Sequence, residues 1–277
     1  MLLTVALVIG ALIAIAIMAN KNQAKGQDAS PHTPQAMSDG HKPQPDAAPD
    51  RATWQMTLPD TPLGRSLAAA FVRFAESRIR IVDQLNPPAS DDEIAEFEKD
   101  LGLIMPEEMR ALYKIANGQK SPFLVTYVDG GPNKIELPLT LPEGHFVGNL
   151  FGNYEFLTLG DAKKEWDNWR VIIEQSSQEE LDDFDDHVSA DTNGGVRKQY
   201  ANLKWIPIAK DGGGNAYAID LDPTDQGNIG QIIVIGPDED HRRVLAPTLA
   251  DLFARIGGKA IELDDGDDQR FYFDIEE

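Results

Sequence analysis

The sequence predicts a mixed domain in which helices and strands occupy separate stretches of the chain. Three observations predict it. Apolar residues recur at three- and four-residue steps over 90–116 and 161–175, a run of β-formers at 205–209 is followed by three glycines and a second strand pattern, and 232–235 is continuously apolar.

Taken from the start, Leu2 to Ala19 is uncharged and apolar. As a helix rising about 1.5 Å per residue it reaches roughly 27 Å, close to the hydrocarbon thickness of a bilayer. No Lys or Arg precedes the run, as a cleavable secretory signal would require, so residues 1–19 are expected to be an uncleaved transmembrane anchor. Lys21 and Lys25 follow at once, and the positive-inside tendency places the remainder in the cytoplasm. Residues 20–60 are rich in Pro, Gln, Asp, Ala and Ser with few large apolar side chains. Such a stretch buries too little surface to offset the entropy of ordering and is expected to be a flexible linker.

Ser90-Asp-Asp-Glu93 has the spacing of a capping box, opening a helix with Ile94, Phe97 and Leu101 on one face and Gly102 at its end. Pro106 with Glu107 and Glu108 suits the first turn of a second helix, which carries Met109, Leu112, Tyr113 and Ala116 to an Asn117-Gly118 stop. From Asp161 to Gln175, Ala162, Trp166, Trp169, Ile172 and Ile173 share a face. Tryptophans at this spacing belong to a core; the alternative is a partner-facing anchor, for which the pair Trp169-Arg170 has the right chemistry. Trp205 to Ala209, the turn Gly212-Gly-Gly-Asn215 and Ala216 to Leu221 make a hairpin. A phosphate-cradling loop would need those glycines to open a helix and a Lys-Ser/Thr pair to follow, and a strand pattern follows instead.

The chain has 25 basic and 46 acidic residues; beyond residue 50 the balance is 22 to 42, a net charge of −20. Nucleic acid and anionic lipid, which are bound through Lys/Arg patches, are therefore poor ligands for the domain, and a basic protein is the natural partner. Acid is densest between Glu174 and Asp191, where Glu179, Glu180, Asp182, Asp183, Asp185 and Asp186 surround Leu181 and Phe184 with no Lys or Arg. One reading is a solvated loop. The other is a patch that imitates a phosphate backbone and blocks a cationic nuclease, with Phe184 as an anchor.

No catalytic constellation is visible. Without cysteine there is no thiol nucleophile, and His145, His187 and His241 form no His-Glu-x-x-His pattern. Asp220, Asp222, Asp225 and Asn228 miss the spacing of a calcium loop, and nothing in the sequence brings Glu155 and Asp211 together as a carboxylate pair. A non-enzymatic protein with neither cofactor nor metal is expected.

Several ordered blocks carry a resemblance: Leu85-Asn-Pro-Pro, Ser90–Glu93, Leu101-Gly, Met105-Pro-Glu, Leu112-Tyr113, Asn117-Gly-Gln119, 152–159, Trp166–Arg170, 205–220 and 230–247. Together they resemble the Smi/Knr-type SUKH superfamily over most of 62–257. The resemblance implies a single α+β domain, with helices in front of and behind a largely antiparallel sheet, that acts by binding protein. Its expected span is 61–260, with 261–277 an acidic tail, 1–60 outside the likeness and Ser176–Leu203 a local acidic elaboration. The superfamily includes fungal cell-wall assembly regulators and many bacterial immunity proteins. The first expectation is an immunity protein that neutralises a basic toxin; the alternative is a membrane-tethered regulator or scaffold that binds envelope-synthesis proteins. The expected contact residues are Glu155, Trp169, Arg170, Asp182, Asp183, Phe184, Asp211 and Asn215.

Overall fold

Thr61 opens the first helix, α1 (Pro62–Glu76), by accepting a hydrogen bond from the Gly64 N–H, and Leu63, Leu67, Ala70, Phe71 and Phe74 form its buried stripe. The computed structural model describes residues 57–120, 124–128, 131–136, 148–263, 271–272 and 275. The expected anchor, nearly all of the linker and most of the tail lie outside these. Among the described residues no helix is long and apolar enough to cross a membrane.

Helix α2 (Asp91–Leu101) has both halves of the expected capping box, and Gly102 ends it in the left-handed conformation at φ 67°. Helix α3 (Glu107–Ile115) buries Met109, Leu112, Tyr113 and Ile115. Pro106 is its N-cap, one place earlier than expected, and Ala116 is already extended. The block that follows joins helices to sheet. Asn117 Oδ1 accepts from Leu159 N, while Gln119 Oε1 accepts from the N–H groups of Leu150 and Phe156. Gly118 sits between them at φ 72°, where a Cβ would lie 2.4 Å from Thr158 N, so backbone approach itself demands glycine.

The main sheet has six strands in the order β3 (Glu155–Phe156), β5 (Trp205–Lys210), β6 (Ala216–Asp220), β7 (Gln231–Ile235), β8 (His241–Ala246) and β4 (Ser189–Ala190). All neighbours are antiparallel except β4 and β8, so the sheet is mixed at one edge. The glycine-turn hairpin forms as expected, with Lys210 opposite Ala216 and an irregularity between Pro207 and Ala209. Strands β6 and β7 are buried at every position, which requires cover on both faces. Two short ladders stand apart: β1 (Leu124–Val128) with β2 (Gly131–Glu136), and β9 (Glu262–Leu263) with β10 (Phe271–Tyr272).

On one face Tyr217 meets Phe151 edge-on and stacks on Tyr154 at 3.9 Å, and Phe151 also meets Phe156 and Phe253. Phe253 comes from α6 (Leu249–Gly258), which packs along α1. Neither α1 nor α6 was among the expected elements. The cover is locked by Glu108 of α3, whose carboxylate accepts from the first N–H groups of α6. Part of the stretch expected as a tail is also fastened: Ile275 is buried and its carbonyl accepts from Arg255.

The opposite face carries a buried polar ladder across three strands, in which Asp220 accepts from Trp205 Nε1 at 3.1 Å and from Gln231 Nε2 at 2.9 Å. Helix α4 (Leu159–Gln175), capped by Thr158, packs against β5. Trp166 and Trp169 are both buried, as core tryptophans, and Trp166 Nε1 donates to the Leu203 carbonyl.

The solvated-loop reading of the acidic segment needs correction. Residues Gln178–Asp186 form helix α5, started by a second capping box between Ser177 and Glu180. Phe184 is its buried residue, against Tyr200 at 5.3 Å. Burial of that one ring and the reciprocal cap outweigh the mutual repulsion of surface carboxylates, which water and salt screen.

Candidate protein-binding surface

The eight expected contact residues fall into two groups along α4. Glu155 lies on edge strand β3 opposite Lys210, and Lys210 Nζ reaches Glu165 of α4 at 3.3 Å. Burial pushes the Glu155 carboxyl above its ordinary range, Asp161 adds to this, and Lys210 opposes it. Asp211 follows Lys210 but turns inward: its Oδ1 accepts from the N–H groups of Gly213 and Asn215, and its Oδ2 from Asn215 Nδ2. Asn215 is buried, and its Oδ1 accepts from Asp238 N, so this pair knots two strand turns together.

The second group surrounds Tyr200. Trp169 meets the Tyr200 ring edge-on at 5.6 Å and is only 6% exposed; its indole N–H has no partner among the described residues. Phe184 also packs on Tyr200, with ring centroids 5.3 Å apart. Both rings therefore support the fold. Arg170 pairs with Asp167 and Glu174 on its own helix and lies over the Trp166 ring at 5.9 Å. Asp182 and Asp183 are exposed on α5, the former accepting from Gln178. Their neighbours are more committed: Asp185 accepts from Tyr200 N at 2.6 Å and Asp186 pairs with Lys198 at 3.2 Å. Of the eight, Asp182 and Asp183 present the freest carboxylates.

One organising residue had no sequence signal. Arg242 on β8 is fully buried, and its guanidinium donates to the carbonyls of Tyr200 (2.8 Å), Gly236 (3.0 Å), Gln199 (3.3 Å) and Glu239. It bolts the acidic segment to the sheet while stacking over Tyr200 at 5.4 Å. Burial pulls its pKa down to about 10, which leaves it cationic at neutral pH. An Arg between His241 and Arg243 at the start of a strand pattern reads as a surface residue, so only the three-dimensional approach of four carbonyls exposes its role. The second capping box was visible by contrast, since Ser177-Gln-Glu-Glu180 repeats the spacing of Ser90–Glu93.

Two of the acids weighed for a calcium loop are engaged in structure. Asp222 is held by Arg197, Lys204 and Asn202, and Asp220 by its strand partners. Among the described residues no group of three or more His, Asp or Glu side chains converges as a metal site.

Fold and surface together define a mixed-sheet α+β module with a strongly acidic outer helix. The chain belongs to the SMI1 / KNR4 family (SUKH-1), whose model matches residues 88–255, leaving α1 and everything before it outside the match. It is similar to the glucan synthesis regulatory protein of Neurospora crassa, 26% identical over 215 residues that cover 66% of this chain and 36% of that one. It is similar also to the cell wall biosynthesis/cell cycle regulator smi1 of Schizosaccharomyces pombe, at 29% over 186 residues (65% and 32%). A third relative, the cell wall assembly regulator SMI1 of Saccharomyces cerevisiae, is 25% identical over 214 residues (66% and 38%). The chain spans about a third of the length of these relatives.

Proposed function

We propose that this chain is a non-enzymatic regulator or scaffold of cell-wall or cell-envelope assembly, which binds its partners through protein contacts and is held near the membrane by residues 1–19. The observation that carries this reading is the relatives' names: glucan synthesis, cell wall biosynthesis and cell wall assembly regulators. The toxin-neutralising role that the acidity suggested has no counterpart among those names. Two features of the surface favour protein binding: α5 presents Asp182 and Asp183, which form no ion pair among the described residues, and the buried aromatic packing behind it holds that helix in a fixed position.

The test is affinity purification of the full chain from detergent-solubilised membranes of its own cells. Recovery with wall- or envelope-polymer synthesis proteins, and altered wall polymer content when the chain is depleted, is the expected result. Recovery with a cationic toxin whose lethality the chain suppresses would replace this reading with immunity.

A further inference from the structure

Among the described residues three large apolar side chains are conspicuously exposed, Val72, Ile104 and Ile229, and the latter two belong to loops that touch. Ile104, 79% exposed, lies between α2 and α3; Ile229, 74% exposed, lies between β6 and β7. The loops meet where a Cβ on Gly230 would stand 3.7 Å from Pro106 Cβ and 3.9 Å from Pro106 Cγ.

Each isoleucine is presented by a fixed turn. Leu103 N donates to the Glu98 carbonyl at 3.1 Å and Met105 N to the Glu98 carboxylate at 2.8 Å, while Met105 itself is buried. On the other loop Asn228 N donates to Gln231 Oε1 at 3.0 Å and Gly230 N to the Asp220 carbonyl at 2.7 Å. Single exposed apolar residues are ordinary on a protein surface. Two isoleucines on adjoining loops, each carried by a turn with hydrogen bonds on both sides of it, offer a small apolar knob whose backbone has little ordering entropy left to lose on binding.

Charge decides what the knob takes. Glu107 is exposed three residues beyond Ile104 and Asp225 four residues before Ile229, while the nearby Arg110 is occupied by Glu98. With a net charge of −20 beyond residue 50, a second copy of this chain would bring like charges together. We propose that Ile104, Ile229 and Pro106 form a docking knob for a basic partner segment, in which large apolar side chains are flanked by Lys or Arg. This names a surface for the protein-binding reading and rests on it.

Selection of a displayed random-peptide library on the immobilised full chain tests the knob. The expected winners combine large apolar residues with Lys or Arg. Synthetic copies should bind the Ile104→Ser/Ile229→Ser variant at least about tenfold more weakly, as expected when two buried branched side chains are lost from a contact. They should bind Val72→Ser as tightly as the unaltered chain. Exposure of both isoleucines means the double variant should melt at the same temperature as the unaltered chain. Winners that bind the double variant equally well, or that are acidic, overturn the knob alone. A dimer in sedimentation that the double variant abolishes overturns it in favour of self-association. Absence of any enriched peptide overturns it together with the protein-binding reading.

Discussion

Asp220 is fully buried yet carries an ionisable group, and its surroundings pull in opposite directions. Burial pushes its pKa above the ordinary 3.8, whereas the Asp222 N–H, Gln231 and Trp205 donate to the charged form and hold it down. Burial wins. A carboxyl with a raised folded-state pKa binds its proton more tightly when native, so the stability it adds at low pH is lost as pH rises from 3.8 through the raised value. Asp220→Asn does not titrate. The melting temperature of that variant, measured against the unaltered chain, should therefore shift in its favour as pH climbs through this window and level off above it. A difference that falls with rising pH would show that the hydrogen bonds dominate. The opposite sign holds at Glu93 and Glu180, whose cap hydrogen bonds lower their pKa values; their contribution is present above 4.5 and lost on acidification. The sequence exposed Ser90–Glu93 because a cap is a local device. It said nothing of the Trp205–Asp220–Gln231 ladder, which exists only once three strands are in register.

Among the elements, α5 shows the limits of pattern reading. Its acids argued for a loop, but a nine-residue helix with one buried ring needs only a good cap and a place to put Phe184. The glycine-turn hairpin, α2, α3 and α4 were legible because each carries its own period and stop signal. Helices α1 and α6 carry the same kind of local signal, a threonine N-cap followed by an apolar stripe at helical spacing, and were open to the same reading; only their packing against each other, far apart in the chain, needs the structure. Helix α5 also holds Asp182 and Asp183 toward its C-terminal end, where the helix dipole disfavours negative charge and no basic residue compensates. Replacing Asp182 and Asp183 by their amides, while keeping Glu179 at the favourable N-terminal end and Asp185 for its bond to Tyr200, should leave the melting temperature unchanged or raised. The same variant should associate more slowly with a cationic partner and lose salt dependence in its on-rate. Unchanged association kinetics would move the charged contact away from α5.

At the scale of the molecule, the domain separates its interior from its exterior chemistry. Inside, charged groups such as Arg242 and Asp220 are spent on fastening segments to the sheet. Outside, acid predominates, interrupted by a small apolar knob on the α2–α3 and β6–β7 loops. Long-range attraction of a basic partner followed by short-range apolar docking is the association such a surface supports. The family was legible in ordered blocks because those blocks build the scaffold: Asn117, Gly118 and Gln119 hold α4 and β3 in place. The contact residues were less legible, because an aromatic that fills a core and one that anchors a partner obey the same helical spacing. The most direct measurement of the central claim is in-cell cross-linking of the full chain followed by mass spectrometry of the joined peptides. The account predicts cross-links from α5 and the two loops to a basic segment of a wall- or envelope-synthesis protein. Cross-links confined to a toxin, or purified chain that turns over a small substrate, would contradict it.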